Sequence, residues 1–123
     1  MTNLNILENS RALYIKINDE IMPLLDKFEL YTIGSQLMRS SLSISLNIRE
    51  GNSYDDKRKN NQFNIAIGSC EETDECIYLL SLKYPKIDYV YYNDKLSHIK
   101  FTLLKIIKQD LAGRRSEVEG RLQ

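Results

Sequence analysis

The chain has 123 residues, with 17 basic and 17 acidic side chains, so its formal net charge is zero. This length suits a single domain with a substantial core, and a content of 42% hydrophobic and 28% charged residues excludes a disordered chain. No apolar run approaches the roughly 18 residues of a membrane span, and the amphipathic, acid-containing start differs from a signal peptide. We therefore expect a cytoplasmic protein with no membrane partner. The zero net charge also removes the simplest electrostatic argument for nucleic-acid binding.

The first predicted helix covers about residues 3–28. Its apolar side chains recur on one face at about 100° per residue, and they are Leu7, Tyr14, Ile17, Ile21, Leu24, Leu25 and Phe28. Pro23 lies inside this pattern and has no backbone N–H to donate, so we expect a kink or a break there. A turn near residues 29–32 should then lead into the next helix.

The second predicted helix covers about residues 33–49 and has two faces that need burial. One face carries Ile33, Leu37, Ser41, Ile44 and Ile48. The other, nearly opposite, carries Met38, Leu42 and Leu46 at a spacing of four residues. A helix with two apolar faces needs two burial surfaces. We predict that the Met38–Leu42–Leu46 stripe contacts a second subunit, the alternative being that both faces are buried within one bundle.

Two further amphipathic helices complete the prediction. The third covers about residues 57–84 and is ended by Pro85, with a core stripe of Phe63, Ala66, Cys70, Thr73, Ile77, Leu80 and Tyr84. The fourth runs from about residue 93 to Ala112, with Gly113 as its C-cap. Its apolar face is formed by Leu96, Ile99, Leu103, Ile106, Ile107 and Leu111. Residues 114–123 are expected to form a polar, frayed tail.

The order and spacing of these segments predict the fold class. No segment alternates with a period of two for long, so strands are not expected. Four helices with short connections predict an all-α single domain, an antiparallel up-down-up-down four-helix bundle in residues 1–113.

The residues that most enzymes need are scarce. Cys70 and Cys76 would point about 120° apart on a helix, so they cannot pair without backbone movement, and we expect buried, reduced thiols. His98 is the single histidine, which disfavours a Ser-His-acid triad and leaves too few ligands for zinc. The chain also lacks a glycine-rich phosphate loop and Glu-x-x-His pairs. We therefore expect no enzyme activity, catalytic residue, metal site, cofactor or small-molecule substrate.

A strip of polar residues is expected where the second and third helices meet. In an antiparallel hairpin Arg39 should lie level with residues 71–75, within reach of Glu72 or Glu75. Asn47 should be largely buried and hydrogen-bonded, because an unpaired buried amide costs about 1–3 kcal/mol. The alternative is that these charged side chains are simply solvated.

A run of basic residues opens the third predicted helix, at Lys57, Arg58 and Lys59. The helix dipole disfavours cations at an N-terminus, so an anionic partner is one explanation for them. Local neutralisation by Asp55 and Asp56 is the other. The remaining candidates for the same partner surface are Arg49, Lys105, Lys108, Arg114 and Arg115.

Two short strips resemble the signature of a bacterial family. Residues 40–51, SSLSISLNIREG, resemble R-S-S-x-S-I-x-x-N-Y-R-E-A, and residues 72–80, ETDECIYLL, resemble E-A-x-E-T-x-Y-W-L. Phe63 resembles the aromatic residue of the family motif D-F-I-H-K. This is the bacterial four helix bundle protein family, which includes proteins encoded in intervening sequences of large-subunit rRNA genes and is related to the accessory variability proteins of diversity-generating retroelements. Ile48, Leu79 and Gly51 depart from the pattern, standing where the family usually has Tyr, Trp and Ala.

The resemblance covers about residues 12–112 and implies an all-α bundle that assembles as a homopentamer without catalysis. The retroelement relatives are basic and are considered to bind reverse transcriptase and nucleic acid. The leading hypothesis is therefore a ring-forming scaffold that binds structured RNA, a reverse transcriptase or another nucleoprotein. The alternative is a protein–protein adaptor with no nucleic-acid role, in which the acidic third helix meets the basic fourth helix of a neighbour.

Overall fold

The computed structural model describes residues 2–122, and the side chains of residues 5–121. It contains α1 (Thr2–Glu20), a 3₁₀ turn (Met22–Leu24), α2 (Lys27–Tyr31), α3 (Ile33–Asn52), α4 (Lys57–Lys83) and α5 (Tyr89–Leu122). No β-strand occurs in residues 2–122, so the predicted all-α class is confirmed. Within the same residues, none of the helices combines the length and the apolar character that crossing a bilayer requires.

Four long helices enclose one hydrophobic core. Each helix packs against two neighbours, because α3 lies between α1 and α4, and α5 closes the ring between α4 and α1. The direction of α3 against α4 is antiparallel, since Ser43 meets Ser69 while the earlier Ser40 meets the later Thr73. The largest fully buried side chains are Ile6, Ile17, Ile21, Leu37, Ile44, Ile48, Phe63, Ile77, Leu80, Ile99 and Leu103. The predicted bundle is thus the observed one.

The chain breaks at Pro23, as the sequence predicts, but the break is followed by a fifth helix. α1 ends at Glu20, and Pro23 lies in the 3₁₀ turn. The short helix α2 then forms where we expected the end of the first helix and a turn. The side chain of Asp26 caps α2 by accepting a hydrogen bond from the backbone N–H of Glu29, at 2.8 Å. Lys83 of α4 donates to both carboxylates, which ties α2 to the bundle.

Helix α5 is longer than predicted at both ends. It begins at Tyr89 and not at about residue 93, so Tyr89, Tyr91 and Tyr92 lie in its first turn. The predicted C-cap at Gly113 and the frayed tail are wrong, because the helix continues to Leu122. No glycine among the described residues has a positive φ, so Gly113 lacks the conformation that a glycine C-cap requires. Pairs one turn apart, Arg114–Asp110 and Arg115–Glu119, support the last turns.

Candidate partner-binding surfaces

The apolar stripe on α3 is only partly covered within the chain. Met38 is half-buried against the core, but Leu42 and Leu46 are 41% and 55% exposed. On the neighbouring helix α4, Ile65 is half-exposed and lies one turn from Ser69, which faces α3. Leu79 is exposed one turn beyond Cys76 on the same side of α4. We call Leu42, Leu46, Ile65 and Leu79 the α3–α4 face.

Hydroxyl groups line the contact between α3 and α4. The Oγ atoms of Ser43 and Ser69 are 2.8 Å apart, and Thr73 Oγ1 lies 2.8 Å from Ser40 Oγ. Asn47 Nδ2 donates to the carbonyl oxygen of Ser43 at 2.8 Å and to its hydroxyl at 3.0 Å. Asn47 is therefore hydrogen-bonded as predicted, although it is half-buried and not largely buried. Ser40 and Ser43 of the signature strip therefore join the two helices, whereas the hydrogen bonds of Asn47 stay within α3.

Arg39 does not make the predicted ion pair. Arg39, Glu72 and Glu75 are exposed, and none of them is within ion-pair distance of an opposite charge in residues 5–121. The line of closest approach between the helices is occupied by Ser40 and Thr73, which leaves Arg39 about 100° further around α3. There it lines a shallow groove with Leu79. An ion pair between these exposed side chains would add little to the stability of the fold, so they remain in contact with solvent.

The charge of Arg58 is neutralised by Asp56, in agreement with the second explanation given for the basic run. Its guanidinium makes two parallel contacts with Asp56, Nε–Oδ1 at 3.1 Å and Nη2–Oδ2 at 2.9 Å. The same guanidinium stacks on Tyr54, 4.3 Å from the ring centroid. Asp56 also caps α4 by accepting from the backbone N–H of Arg58. These contacts lower the pKa of Asp56 to about 2.

Arg114 is brought to the same end of the bundle from the far end of the sequence. Its Nε donates to Asp110 at 2.9 Å and its Nη2 donates to the backbone carbonyl of Asp55 at 3.2 Å. Asn60 Nδ2 donates to the same Asp110 oxygen at 2.8 Å, and the Arg114 guanidinium lowers the pKa of Asp110. The start of α4 and the Arg114 region of α5 therefore form one cluster of acidic and basic side chains.

The other basic candidates are divided between paired and unpaired side chains. Arg115 pairs with Glu119 at 3.2 Å on the exposed side of α5. The other five candidates make no ion pair within the described residues, and these are Arg49, Lys57, Lys59, Lys105 and Lys108. The four-residue connection between α3 and α4 places the first three at one end of the bundle. We call Arg49, Lys57 and Lys59 the basic end.

The cysteines offer no reactive thiolate. Both are buried and unpaired, and burial raises the pKa of the Cys70 thiol to about 12 and that of the Cys76 thiol to about 11. A protonated thiol is a poor nucleophile and a poor metal ligand. Within the described part of the chain, no three His, Cys, Asp or Glu side chains are grouped so that they could hold a metal ion.

Comparison with known proteins places this bundle in a family. A family model described as 23S rRNA-intervening sequence protein matches residues 2–103. The chain belongs to this family. A solved structure from Bacteroides thetaiotaomicron, described as a protein of unknown function from the S23 ribosomal protein family, is 25% identical with a TM-score of 0.77. The match covers 88% of this chain and 99% of the other. No curated protein matches the chain.

The intervening sequence protein match confirms the resemblance read from residues 40–51 and 72–80. It ends inside α5, before Lys105 and the three basic candidates that follow it. Arg49, Lys57, Arg58 and Lys59 lie within the matched segment. Of the basic candidates, those of residues 49–59 lie in the part of the chain that the family model matches, and those of residues 105–115 lie beyond it. The hydrogen bond from Arg114 to the carbonyl of Asp55 joins these two parts of the chain.

Sequence reasoning missed the polar contacts that cross the bundle. Asn60 meets Asp110 across 50 residues of sequence, and Asp74 accepts hydrogen bonds from Tyr89 and Asn93 at 2.9 and 2.8 Å. No local pattern marks such pairs. The only available signal was the presence of single polar residues beside the core stripe, which does not identify a partner.

Proposed function

We propose that this intervening sequence protein is a non-enzymatic scaffold that assembles through the α3–α4 face. The observation that carries the proposal is the exposure of Leu42 and Leu46 on a helix whose opposite side, with Leu37, Ile44 and Ile48, is completely buried. Covering apolar surface gains about 25 cal/mol per Å². The flanking Ile65 and Leu79 extend this surface onto α4, so a second copy would find an apolar strip crossing two helices.

The proposed assembly is a closed ring of identical subunits, a homopentamer by the family resemblance. Head-to-tail contacts between different surfaces of two copies generate rings when the rotation closes. The α3–α4 face would be one of these surfaces. Assembly is proposed to occur in the cytoplasm, where two unpaired, reduced cysteines are the ordinary state.

The proposed partner of the ring is anionic, namely structured RNA or a nucleoprotein such as a reverse transcriptase. The basic end supports this proposal, because Arg49, Lys57 and Lys59 make no ion pair within residues 5–121. Lys105 and Lys108 add two more cations along α5 that make no ion pair with these residues. A symmetric ring would repeat these cations in every subunit, so modest charges could sum to a useful affinity for phosphate groups.

A protein–protein adaptor is the second candidate, and a specific observation favours it. Asp55, Asp56 and Asp110 lie among the bases at the same end of the bundle and engage Arg58 and Arg114. Glu71, Glu72 and Glu75 remain exposed on α4. The unpaired lysines of a neighbouring subunit could form ion pairs with these acids. Those lysines would then no longer be available to bind RNA phosphates.

Two measurements test the proposal. Light scattering should give a mass several times the 14.4 kDa of one chain, and a monomer at all concentrations would contradict the scaffold. Binding of a structured RNA should weaken steeply as salt rises, because each phosphate contact releases counterions. An oligomer that binds no RNA at low salt would instead support the adaptor.

A further inference from the structure

A groove with a cavity volume of about 480 Å³ opens between α1 and α5, away from the α3–α4 face and the basic end. Leu13 and Ile99 lie at its base but are only 4% and 1% exposed, so its accessible apolar surface comes from Ala12 and Tyr91. The short side chain of Ala12 leaves the space between the two helices unfilled. The volume lies in the range of pockets that bind small organic ligands, about 300–1,000 Å³. The space above the Ala12 methyl group can therefore take a flat, weakly polar ring.

An uncompensated cation stands at the edge of this groove. Two ammonium groups lie near the Tyr91 ring, with Lys16 Nζ 4.8 Å and Lys95 Nζ 5.4 Å from its centroid. Lys16 is paired with Glu20 at 2.7 Å. Lys95 has no carboxylate within ion-pair distance among residues 5–121. Its charge is therefore available to an anion.

The other polar groups of the groove narrow the class of ligand. The side chains of Asn9 and His98 line it and make no hydrogen bond with a described protein group, so they offer further donors. Asp94 lines it as well. A carboxylate repels a bare anion but accepts hydrogen bonds from hydroxyl groups, as acidic residues do with the ribose of bound dinucleotides. The set of groups therefore fits a ligand that combines a ring, hydroxyl groups and an anionic group.

We propose that the α1–α5 groove binds a nucleoside monophosphate unit. The ring fills the space above Ala12, the phosphate meets Lys95 and His98, and Asp94 accepts from the ribose hydroxyls. A free nucleotide and one nucleotide of a single-stranded nucleic acid both present this chemistry. In the second case the inference rests on the proposed nucleic-acid role and adds a contact outside the basic end.

The single histidine makes the test direct, because one imidazole signal in the proton NMR spectrum reports on the groove. The full chain is titrated separately with AMP, with a short oligoadenylate and with inorganic phosphate. We expect a saturable shift of the His98 signal with AMP or with the oligonucleotide, and at least about tenfold weaker binding of phosphate alone. An oligonucleotide that binds about tenfold tighter than AMP identifies the strand as the ligand, and equal affinity identifies the free nucleotide. No saturable shift with either ligand at about 10 mM would overturn the proposal.

Three variants locate the binding. Ala12→Phe fills the groove without changing its charges and should abolish the shift, while Lys95→Gln should weaken binding about tenfold. Lys27→Gln removes the same charge from exposed α2 and should bind like the parent chain. Unchanged binding by Ala12→Phe, or an equal loss in both lysine variants, would contradict the site. If Ala12→Phe fails to fold by circular dichroism, the comparison of the two lysine variants decides. Light scattering reports separately on the proposed scaffold, so either idea can fail alone.

Discussion

Gly51 lies in close contact with the side chain of a core residue, Phe63. A Cβ added there would lie 2.5 Å from Cε1 of Phe63, and the Phe63 ring is completely buried and cannot swing away. The family signature usually has alanine at this position, and this chain combines glycine with a large aromatic neighbour. The Phe63 ring therefore occupies the space that the methyl group of an alanine at position 51 would fill.

We expect Gly51→Ala to destabilise the protein. Overpacking against Phe63 costs about 1–3 kcal/mol, which exceeds the helix-propensity gain of roughly 1 kcal/mol for removing a glycine. Gly113→Ala is the matched control, because an added Cβ there meets nothing within 4 Å. The control should raise the free energy of unfolding by about 0.5–1 kcal/mol. Urea denaturation at one protein concentration measures both, and a stabilised Gly51→Ala variant would show that the ring has room to move.

The cap of α4 gives the protein an acid-sensitive contact. Asp56 binds the Arg58 guanidinium and its backbone N–H, and its pKa is lowered to about 2. A carboxyl group whose folded pKa is depressed contributes stability that is present above its unfolded pKa of about 4. This contribution is lost as the pH falls through the folded value of about 2.

The prediction is a decrease in stability between about pH 4 and pH 2 that depends on Asp56. Asp56→Asn keeps an N-capping side chain but cannot titrate. The melting temperature of the variant should depend less on pH in this range than that of the parent chain. Thermal denaturation followed by circular dichroism measures the difference. Identical pH profiles would mean that Asp56 contributes nothing to the acid transition.

At the scale of elements, α3 has a different neighbour on each side. Ser41, Ile44 and Ile48 face the interior, Ser40 and Ser43 contact α4, and the remaining side leaves Leu42 and Leu46 exposed. The contacts to α4 are polar and short, so the rotation of α3 about its axis is fixed by hydrogen bonds as well as by the core. This rotation decides which apolar residues remain for a second copy.

We predict that Leu42→Glu dissociates the assembly. A carboxylate in an apolar contact between subunits should cost a few kcal/mol per contact. Val90→Glu is the matched control, since Val90 is 77% exposed at the start of α5 and outside the α3–α4 face. Light scattering should show a smaller mass for Leu42→Glu and an unchanged mass for Val90→Glu. Retention of the full mass by both would place the subunit contact on another surface.

At the scale of the whole molecule, balanced charge does not mean uniform charge. Asp56, Asp110 and Glu119 pair with Arg58, Arg114 and Arg115. Four lysines make no ion pair within residues 5–121, and these are Lys57 and Lys59 of α4 and Lys105 and Lys108 of α5. Arginine presents a planar fork that matches a carboxylate, whereas lysine is a strongly hydrated point charge. Arg58 and Arg114 are thus engaged with the connection between α3 and α4, and the four unpaired lysines are the charges that the proposed partner would contact.

This division predicts different results for neighbouring basic residues. Lys57→Gln with Lys59→Gln should weaken RNA or partner binding and reduce its salt dependence, because each lost phosphate contact removes close to one unit of the slope. Arg58→Gln should change binding much less, since its charge is already engaged by Asp56. Anisotropy of a labelled RNA across a salt series measures both. An equal effect of the two changes would show that Asp56 releases Arg58 to the partner.

The amino-acid sequence by itself determined the four long helices, the break at Pro23, the second apolar stripe of α3 and most of the core face of each helix. These features follow from the spacing of apolar residues, which recur every three or four positions along a helix. Two residues predicted on core faces are wrong, since Phe28 is 71% exposed on the short helix α2 and Leu111 is 55% exposed where α5 extends past the core. Residue spacing also identified the family through residues 40–51 and 72–80. The end of the last helix was misjudged, because a glycine with open space around it is compatible with a continuing helix as well as with a cap.

Only the tertiary structure decided which side chains meet. Arg114 reaches the carbonyl of Asp55 across 59 residues, Asn60 meets Asp110, and Arg39 is left in solvent by the contact between Ser40 and Thr73. The groove between α1 and α5 could not be predicted from the sequence either, because no local pattern shows that Ala12 of α1 leaves room beside Lys95 of α5. Such contacts depend on the register and rotation of one helix against another. Packing of the entire core sets both quantities, and no single segment encodes them.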